Sequence, residues 1–302
     1  MNKNDLSQSN YKFYHYIASL SYNGSEYSGF QIQKKDKTIQ EQIENILLSL
    51  NQKSIKSLHP IEDKSKIKEL TRIYFAGRTD SGVHAIENVV SFTLSKEFET
   101  EKVVTIFNNN LPKDIRFYNC KRTNQKINPR FAAIERVYLY VIYTGKKLAP
   151  FILNRAFIFN GNLNINKFEQ CLKIFEGRHN FKFFTTSSEK RNPVRTIFET
   201  NLFHKNEFIF VFIRGDSFLH KQVRFMIGSA FMCGLNKIKI EEIVQMLDFE
   251  KIHKPLLNKN ITNETSSIFV LPPEGLYLAK VRFDGEEQLK FEDILSFYET
   301  QY

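Results

Sequence analysis

Apolar and polar positions alternate through Phe13–Ser21, the two-residue period of a half-buried strand. From Ile39 the period lengthens to that of a helix, with Ile39, Ile43, Ile46, Leu47 and Leu50 on one stripe. Thr38 and Glu41 write a capping box at its start. A polar, lysine-rich stretch, Gln52–Glu69, separates that helix from two strand-like runs, Arg72–Phe75 and Val89–Leu94, and these flank a glycine-bracketed loop. A helix at Glu101–Asn109 and a strand at Ile115–Lys121 follow. The second half repeats the alternation of types. It has a strand at Val137–Tyr143, a helix at Ile165–Phe175, and a hairpin of Thr196–His204 with Phe208–Arg214 around Asn206-Glu207. A helix at Phe218–Cys233 carries the stripe Leu219, Val223, Met226, Ile227 and Ala230, and a last strand runs through Ala279–Phe283. Strands alternating with amphipathic helices in both stretches predict an α+β protein. Its 302 residues suffice for two domains, placed at 1–128 and 129–302 with the boundary near Asn128-Pro129.

Charge narrows the partners. Lys and Arg number 43 against 33 Asp and Glu, a formal +10, which favours a polyanion such as nucleic acid, although solvated lysines alone give the same balance. The cysteines Cys120, Cys171 and Cys233 are far apart in sequence and form no Cys-x-x-Cys or Cys/His set, so reduced thiols and no zinc are expected. Residues 1–10 are polar, without the apolar core of a signal peptide, and no apolar run is long enough for a bilayer. A soluble, cytoplasmic protein without a membrane partner is the expectation.

Candidate chemistry centres on the loop Phe75-Ala76-Gly77-Arg78-Thr79-Asp80-Ser81-Gly82-Val83-His84-Ala85. A carboxylate at a strand exit between glycines can approach a substrate closely, so Asp80 is the first candidate; read alone, the same residues also make an ordinary turn. Arg224 falls on the flank of the apolar stripe of its helix, where a guanidinium can pair with a carboxylate in bidentate geometry or lie along the surface toward solvent. Tyr138 and Tyr140 alternate with apolar neighbours in one strand and share a face, for which core packing is the default.

The loop Gly77-Arg78-Thr79-Asp80 with Gly82-Val83-His84 resembles the aspartate loop of the TruA family of tRNA pseudouridine synthases. Further matches are colinear. They are Tyr22-Asn23-Gly24-Ser25-Glu26-Tyr27-Ser28-Gly29-Phe30-Gln31, Leu111-Pro112-Lys113-Asp114-Ile115, Arg136-Val137-Tyr138-Leu139-Tyr140, Ser217-Phe218-Leu219-His220-Lys221-Gln222-Val223-Arg224, and Pro273-Glu274-Gly275-Leu276-Tyr277-Leu278. The resemblance implies two halves sharing an extended antiparallel sheet around a central cleft. It implies isomerisation of uridine to pseudouridine at positions 38 to 40 of the tRNA anticodon stem-loop, no cofactor, and a homodimer spanned by tRNA. By the same resemblance Asp80 carries the reaction, Arg224 pairs with it, Tyr138 stacks on the target base and assists proton removal from C5, and Arg78 enters the RNA beside the extruded nucleotide. His220, Lys221 and Leu276 are candidates for contact with the RNA, Tyr140 for support, and His84 for a merely hydrogen-bonded loop histidine. Lys34, Lys35, Lys37, Lys121, Arg122, Lys126 and Arg130 are candidates for phosphate contact or plain solvated surface.

Three departures stand out. Phe30 sits where relatives often carry tryptophan, Ser81 where alanine is common, and Lys221-Gln222 in place of a frequent His-Met pair. None removes a group the chemistry needs. Breaking the N1–C1′ bond, turning the base and rejoining it through C5 takes nothing from outside, so an ionised carboxylate suffices. Two other readings use the same residues: an RNA-binding protein of this fold without chemistry, and a hydrolytic N-glycosidase using Asp80.

Overall fold

A computed structural model of the chain describes residues 12–57, 64–147, 150–186, 188–247 and 269–299. The first half is built from β1 (Tyr14–Tyr22), α1 (Ile39–Ser57), α2 (Lys64–Thr71), β2 (Tyr74–Phe75), β3 (His84–Leu94), α3 (Thr100–Asn110) and β4 (Ile115–Thr123). There follow α4 (Pro129–Ala132), β5 (Ala133–Tyr143), β6 (Phe157–Ile158), α5 (Ile165–Lys173), β7 (Gly177–Asn180), β8 (Val194–Lys205), β9 (Phe208–Gly215), α6 (Gln222–Gly234), α7 (Ile240–Leu247), β10 (Leu276–Phe283) and α8 (Phe291–Glu299).

The strands form one sheet in the order β4-β1-β3-β10-β5-β9-β8-β7, with β2 added on β3 and β6 on β5. Pairing is antiparallel except at two places, β5 with β6 and, at the centre, β3 with β10, so the expected antiparallel sheet is a mixed one. The central join is short: Tyr277 faces His84 and Leu278 faces Ala85. It arises because the last strand of the chain returns to lie between the two sets of strands made earlier.

Burial explains the apolar patterns. In β5, Tyr138, Tyr140 and Ile142 enter the larger core with α5 and α6, whereas Val137, Leu139, Val141 and Tyr143 enter a second core closed by Phe291, Ile294, Leu295 and Tyr298 of α8. A strand covered on both faces reads as a continuous apolar run, as Val137–Tyr143 does. Tyr138 and Tyr140 share a face as their spacing requires. On α1, Ile39, Ile43 and Leu47 are buried and the Thr38 hydroxyl accepts the Glu41 N–H at 3.4 Å. The lysine-rich stretch is helical where described, α1 running on to Ser57 and α2 beginning at Lys64.

Two boundaries differ most from the sequence reading. β3 begins at His84, five residues before Val89, because its polar residues are buried with partners: Glu87 pairs with Lys280 at 2.8 Å, and the Asn88 side chain binds Gly77. The helix expected from Phe218 begins at Gln222. Lys221 holds a left-handed φ of 60°, and the Gln222 side chain turns back to accept the Leu219 N–H at 2.8 Å, so Phe218–Lys221 form a loop.

The first-half core is aromatic: Phe107 stacks on Phe117 at 4.6 Å and lies 5.1 Å from Phe92. Phe107→Ala should lower stability by about 3 to 5 kcal/mol through lost burial and a residual cavity. A urea titration reads this as a lower midpoint at unchanged slope, and an unchanged midpoint would contradict the packing described.

Candidate active site

The loop between β2 and β3 is pinned from below before any side chain acts. The Phe30 N–H donates to the Thr79 carbonyl at 3.1 Å, the Gly82 N–H to that of Tyr27 at 3.3 Å, and the Tyr22 hydroxyl meets the Thr79 hydroxyl at 2.8 Å. The N-terminal motif Tyr22–Gln31 is thus the bed on which the aspartate loop lies. Asp114, from the Leu111–Ile115 motif, steadies that bed in turn, accepting from the Tyr27 hydroxyl at 2.7 Å. Gly82 has φ 76°, a value costly for a side-chain-bearing residue. At Gly77 a Cβ would come within 2.6 Å of the Leu278 side chain. These glycines therefore let the loop pack closely against Leu278 and Pro273, and Gly77 also lines the cavity.

His84 lies under this loop, where its environment sets its chemistry. The ring is buried, stacks on Tyr277 at 4.6 Å, accepts the Gly24 N–H on Nδ1 at 3.1 Å and donates from Nε2 to the Glu274 carbonyl at 3.1 Å. That arrangement needs the neutral tautomer, and burial pushes the pKa down from 6.5 to about 4. His84 is a strut between three of the motifs.

Asp80 emerges from the loop into a cavity of about 640 Å³ and remains 17% exposed. Its Oδ2 lies 3.5 Å from Nη1 of Arg224 on the first turn of α6, and its Oδ1 3.2 Å from Nε2 of His220 on the loop before that helix. Arg224 is buried, and its Nε donates to the Leu271 carbonyl at 2.6 Å. With one edge of the guanidinium committed there, the pair with Asp80 is a single contact and not the bidentate fork expected. His220 is fixed by neighbours: its Nδ1 meets the Thr186 hydroxyl at 3.1 Å, its carbonyl accepts from Thr185 at 2.9 Å, and its N–H reaches Glu189 at 3.3 Å.

Tyr138 lines the same cavity, its ring edge-on to Phe218 at 5.1 Å. Burial raises its hydroxyl to about 12; the nearby Arg136 opposes that shift and the Asp80 charge adds to it. Arg136 is buried, has no carboxylate ion pair among the described residues, and donates to four carbonyls, those of Ala76, Arg130, Ala133 and Asp216. Arg78, Lys221 and Leu276 also line the cavity, with Arg78 exposed and Leu276 buried in its wall. Tyr140 stands apart as support, donating to the Pro272 carbonyl at 2.8 Å. Of the other basic candidates, only Arg130 lines the cavity.

The sequence reading missed the far wall. Thr186, Glu189 and Arg191, from the segment before β8, and Arg195, at the start of that strand, line the cavity with the aspartate loop, and Arg191 pairs with Glu189 at 2.6 Å. The segment has no periodicity, so only its cluster of charge around Pro193 could have drawn notice. Among the described residues no group of three or more His, Cys, Asp and Glu stands where it could hold a metal, and no helix is long and apolar enough to cross a membrane.

A sheet with a central cleft, holding an aspartate between an arginine and a histidine, belongs to a class already defined by sequence. A family profile described as tRNA pseudouridine synthase matches residues 18–131 and 172–284, and the chain belongs to that family of uridine-to-pseudouridine isomerases. Proteins named tRNA pseudouridine synthase A from Pseudothermotoga lettingae and Ehrlichia chaffeensis are each 32% identical to it, the matches covering 89% of this chain and 99% of theirs. The protein of that name from Phytoplasma mali is also 32% identical over the same shares. The resemblance to the TruA family therefore holds across nearly the whole chain.

The His84 environment gives a pH dependence with a defined sign. Because the folded pKa lies below the unfolded one, the unfolded chain takes up the proton first. The contribution is complete above pH 6.5 and is lost as pH falls toward 4, by about 3 kcal/mol. Denaturation of wild type and His84→Gln at pH 7 and pH 4.5 should show the wild type losing about 2 to 3 kcal/mol more. Parallel losses would mean the imidazole is not held neutral.

Proposed function

We propose that this chain isomerises uridine to pseudouridine in the anticodon stem-loop of tRNA, at positions 38 to 40, with Asp80 as the residue that carries the reaction. The supporting observation is that Asp80, from the first half of the chain, meets Arg224 and His220 from the second at 3.5 and 3.2 Å inside a cavity that Tyr138 also lines. In this reading Arg224 pairs with the carboxylate and holds it aimed into the cavity. The carboxylate then either attacks C1′ or removes a sugar proton, the N1–C1′ bond breaks, and the base turns before C5 bonds to C1′. The proton leaves C5 and N1 gains one, so no outside reactant enters.

Tyr138 offers its ring to the freed base and its hydroxyl to the C5 proton. Arg78, at the exposed edge of the loop, takes the place vacated by the extruded nucleotide, offsetting part of an unstacking cost of a few kcal/mol. Lys221 and Leu276 complete the contacts, the first with phosphate and the second with the base. His220 is the more exposed of the two groups on Asp80, 38% against 11% for Arg224, so it is the one an entering nucleotide displaces toward the sugar-phosphate backbone. The halves 1–128 and 129–302 act as two domains closing one cleft. The protein works in the cytoplasm as a homodimer spanned by tRNA.

Mapping pseudouridine after incubation with unmodified tRNA should place product at positions 38 to 40, and well-folded protein giving none would defeat the reading. Asp80→Asn should lose all detectable product while still binding tRNA; full activity in that variant would remove Asp80 from the mechanism. Light scattering should report a dimer, against which a clean monomer at working concentration would count.

A further inference from the structure

Phe131 is 81% exposed, more than any other large apolar side chain among the described residues. Burying such a ring is ordinarily worth about 1.5 to 3 kcal/mol, so a phenylalanine held out in water asks for a reason. Its place supplies one: it lines the cavity that contains Asp80, with Arg78 and Arg130 beside it.

The ring does not hang on a loose loop. Asn128 caps the turn of α4 three times, accepting the Arg130 N–H on its side chain at 3.2 Å and the Phe131 and Ala132 N–H groups on its carbonyl at 3.2 and 3.1 Å. Arg136 holds the carbonyls on either side of the ring, those of Arg130 at 2.7 Å and of Ala133 at 3.2 Å. The same guanidinium binds Ala76, so the platform and the aspartate loop share one anchor. An exposed ring on a fixed turn loses little entropy when it is covered.

Charge says what covers it. Arg130 lies 5.9 Å from the Phe131 ring centre, and neither Arg78, Arg130 nor Lys221 has a carboxylate partner among the described residues. The two acids lining the cavity, Asp80 and Glu189, are already paired. A protein surface offering only apolar side chains would leave those cations without counter-charge. A nucleotide strand supplies both a flat π-face and a phosphate at each step.

We propose that Phe131 is a stacking platform for an unpaired nucleobase of the substrate strand next to the extruded uridine, with Arg130 and Arg78 holding the adjoining phosphates. The proposal rests on the reading that the cavity receives a nucleotide turned out of RNA. It adds a second aromatic contact, at the exposed edge of the cavity, to the one assigned to Tyr138 deeper in its wall.

The test compares Phe131→Ala, Phe131→Leu and Phe131→Trp in the full-length protein, with tRNA as the probe. Because the ring is exposed, thermal midpoints should stay near that of wild type. Loss of one base-stacking contact should weaken tRNA binding about tenfold in Phe131→Ala. Phe131→Leu, apolar but without a π-face, should be nearly as weak, and Phe131→Trp should bind at least as well as wild type. KM should rise more than kcat falls. A 2-aminopurine placed beside the target uridine should be quenched by wild type and Phe131→Trp only. Wild-type binding by Phe131→Leu or Phe131→Ala would overturn the proposal, as would a change in oligomeric state with tRNA affinity intact, which would make the ring a contact between protein copies. Product formation by the wild type decides the catalytic reading separately: tRNA bound without product, yet weakened by Phe131→Ala, would keep the platform and discard the chemistry.

Discussion

The cleft exists because β10 lies between β3 and β5. Two residue pairs, Tyr277 with His84 and Leu278 with Ala85, join it in parallel to β3, while a longer antiparallel ladder, Leu276 to Phe283 against Ala133 to Tyr140, joins it to β5. So short a parallel contact needs support from side chains. His84 gives it by stacking on Tyr277 and bonding to Glu274, and Lys280 gives it by pairing with Glu87. Each contact bridges segments nearly two hundred residues apart in the chain, so the aspartate loop and the strand bearing Tyr138 are placed by one seam.

On that scaffold the electrostatics are close to balanced. At 3.5 Å and an effective dielectric of about 20, an ion pair such as Asp80 with Arg224 gains roughly 5 kcal/mol. Partial burial of the two charges costs several kcal/mol each, so the pair adds little net stability. What it fixes is direction. One edge of Arg224 is held by the Leu271 carbonyl, the other points at Asp80, and the carboxylate stays aimed into the cavity.

Much of this was legible where periodicity and burial agree. The alternation at Tyr138 and Tyr140, the stripe on α1 and the Asn206-Glu207 hairpin are local facts, and they survive folding intact. Polar residues that find partners only in three dimensions hid the rest. His84, Glu87 and Asn88 made the start of β3 look like loop, and Lys221 in a left-handed conformation ended α6 short of His220. The aspartate was visible from its loop; the imidazole beside it was not, because its position depends on Thr185, Thr186 and Glu189 on a distant segment. Gly77 shows the same limit, since its neighbour Leu278 lies some two hundred positions further on.

Arg136 has one more effect. Among the described residues its guanidinium is bound to carbonyl dipoles only, which satisfy its donors without cancelling its charge, and arginine does not shed a proton under protein conditions. A standing positive charge therefore sits in the cavity wall itself, two residues from Tyr138 on the same strand. Its field does not choose a sequence. It favours whatever brings negative charge inward, and because it originates beneath the surface, salt in the surrounding water screens it less than it screens the cations at the rim.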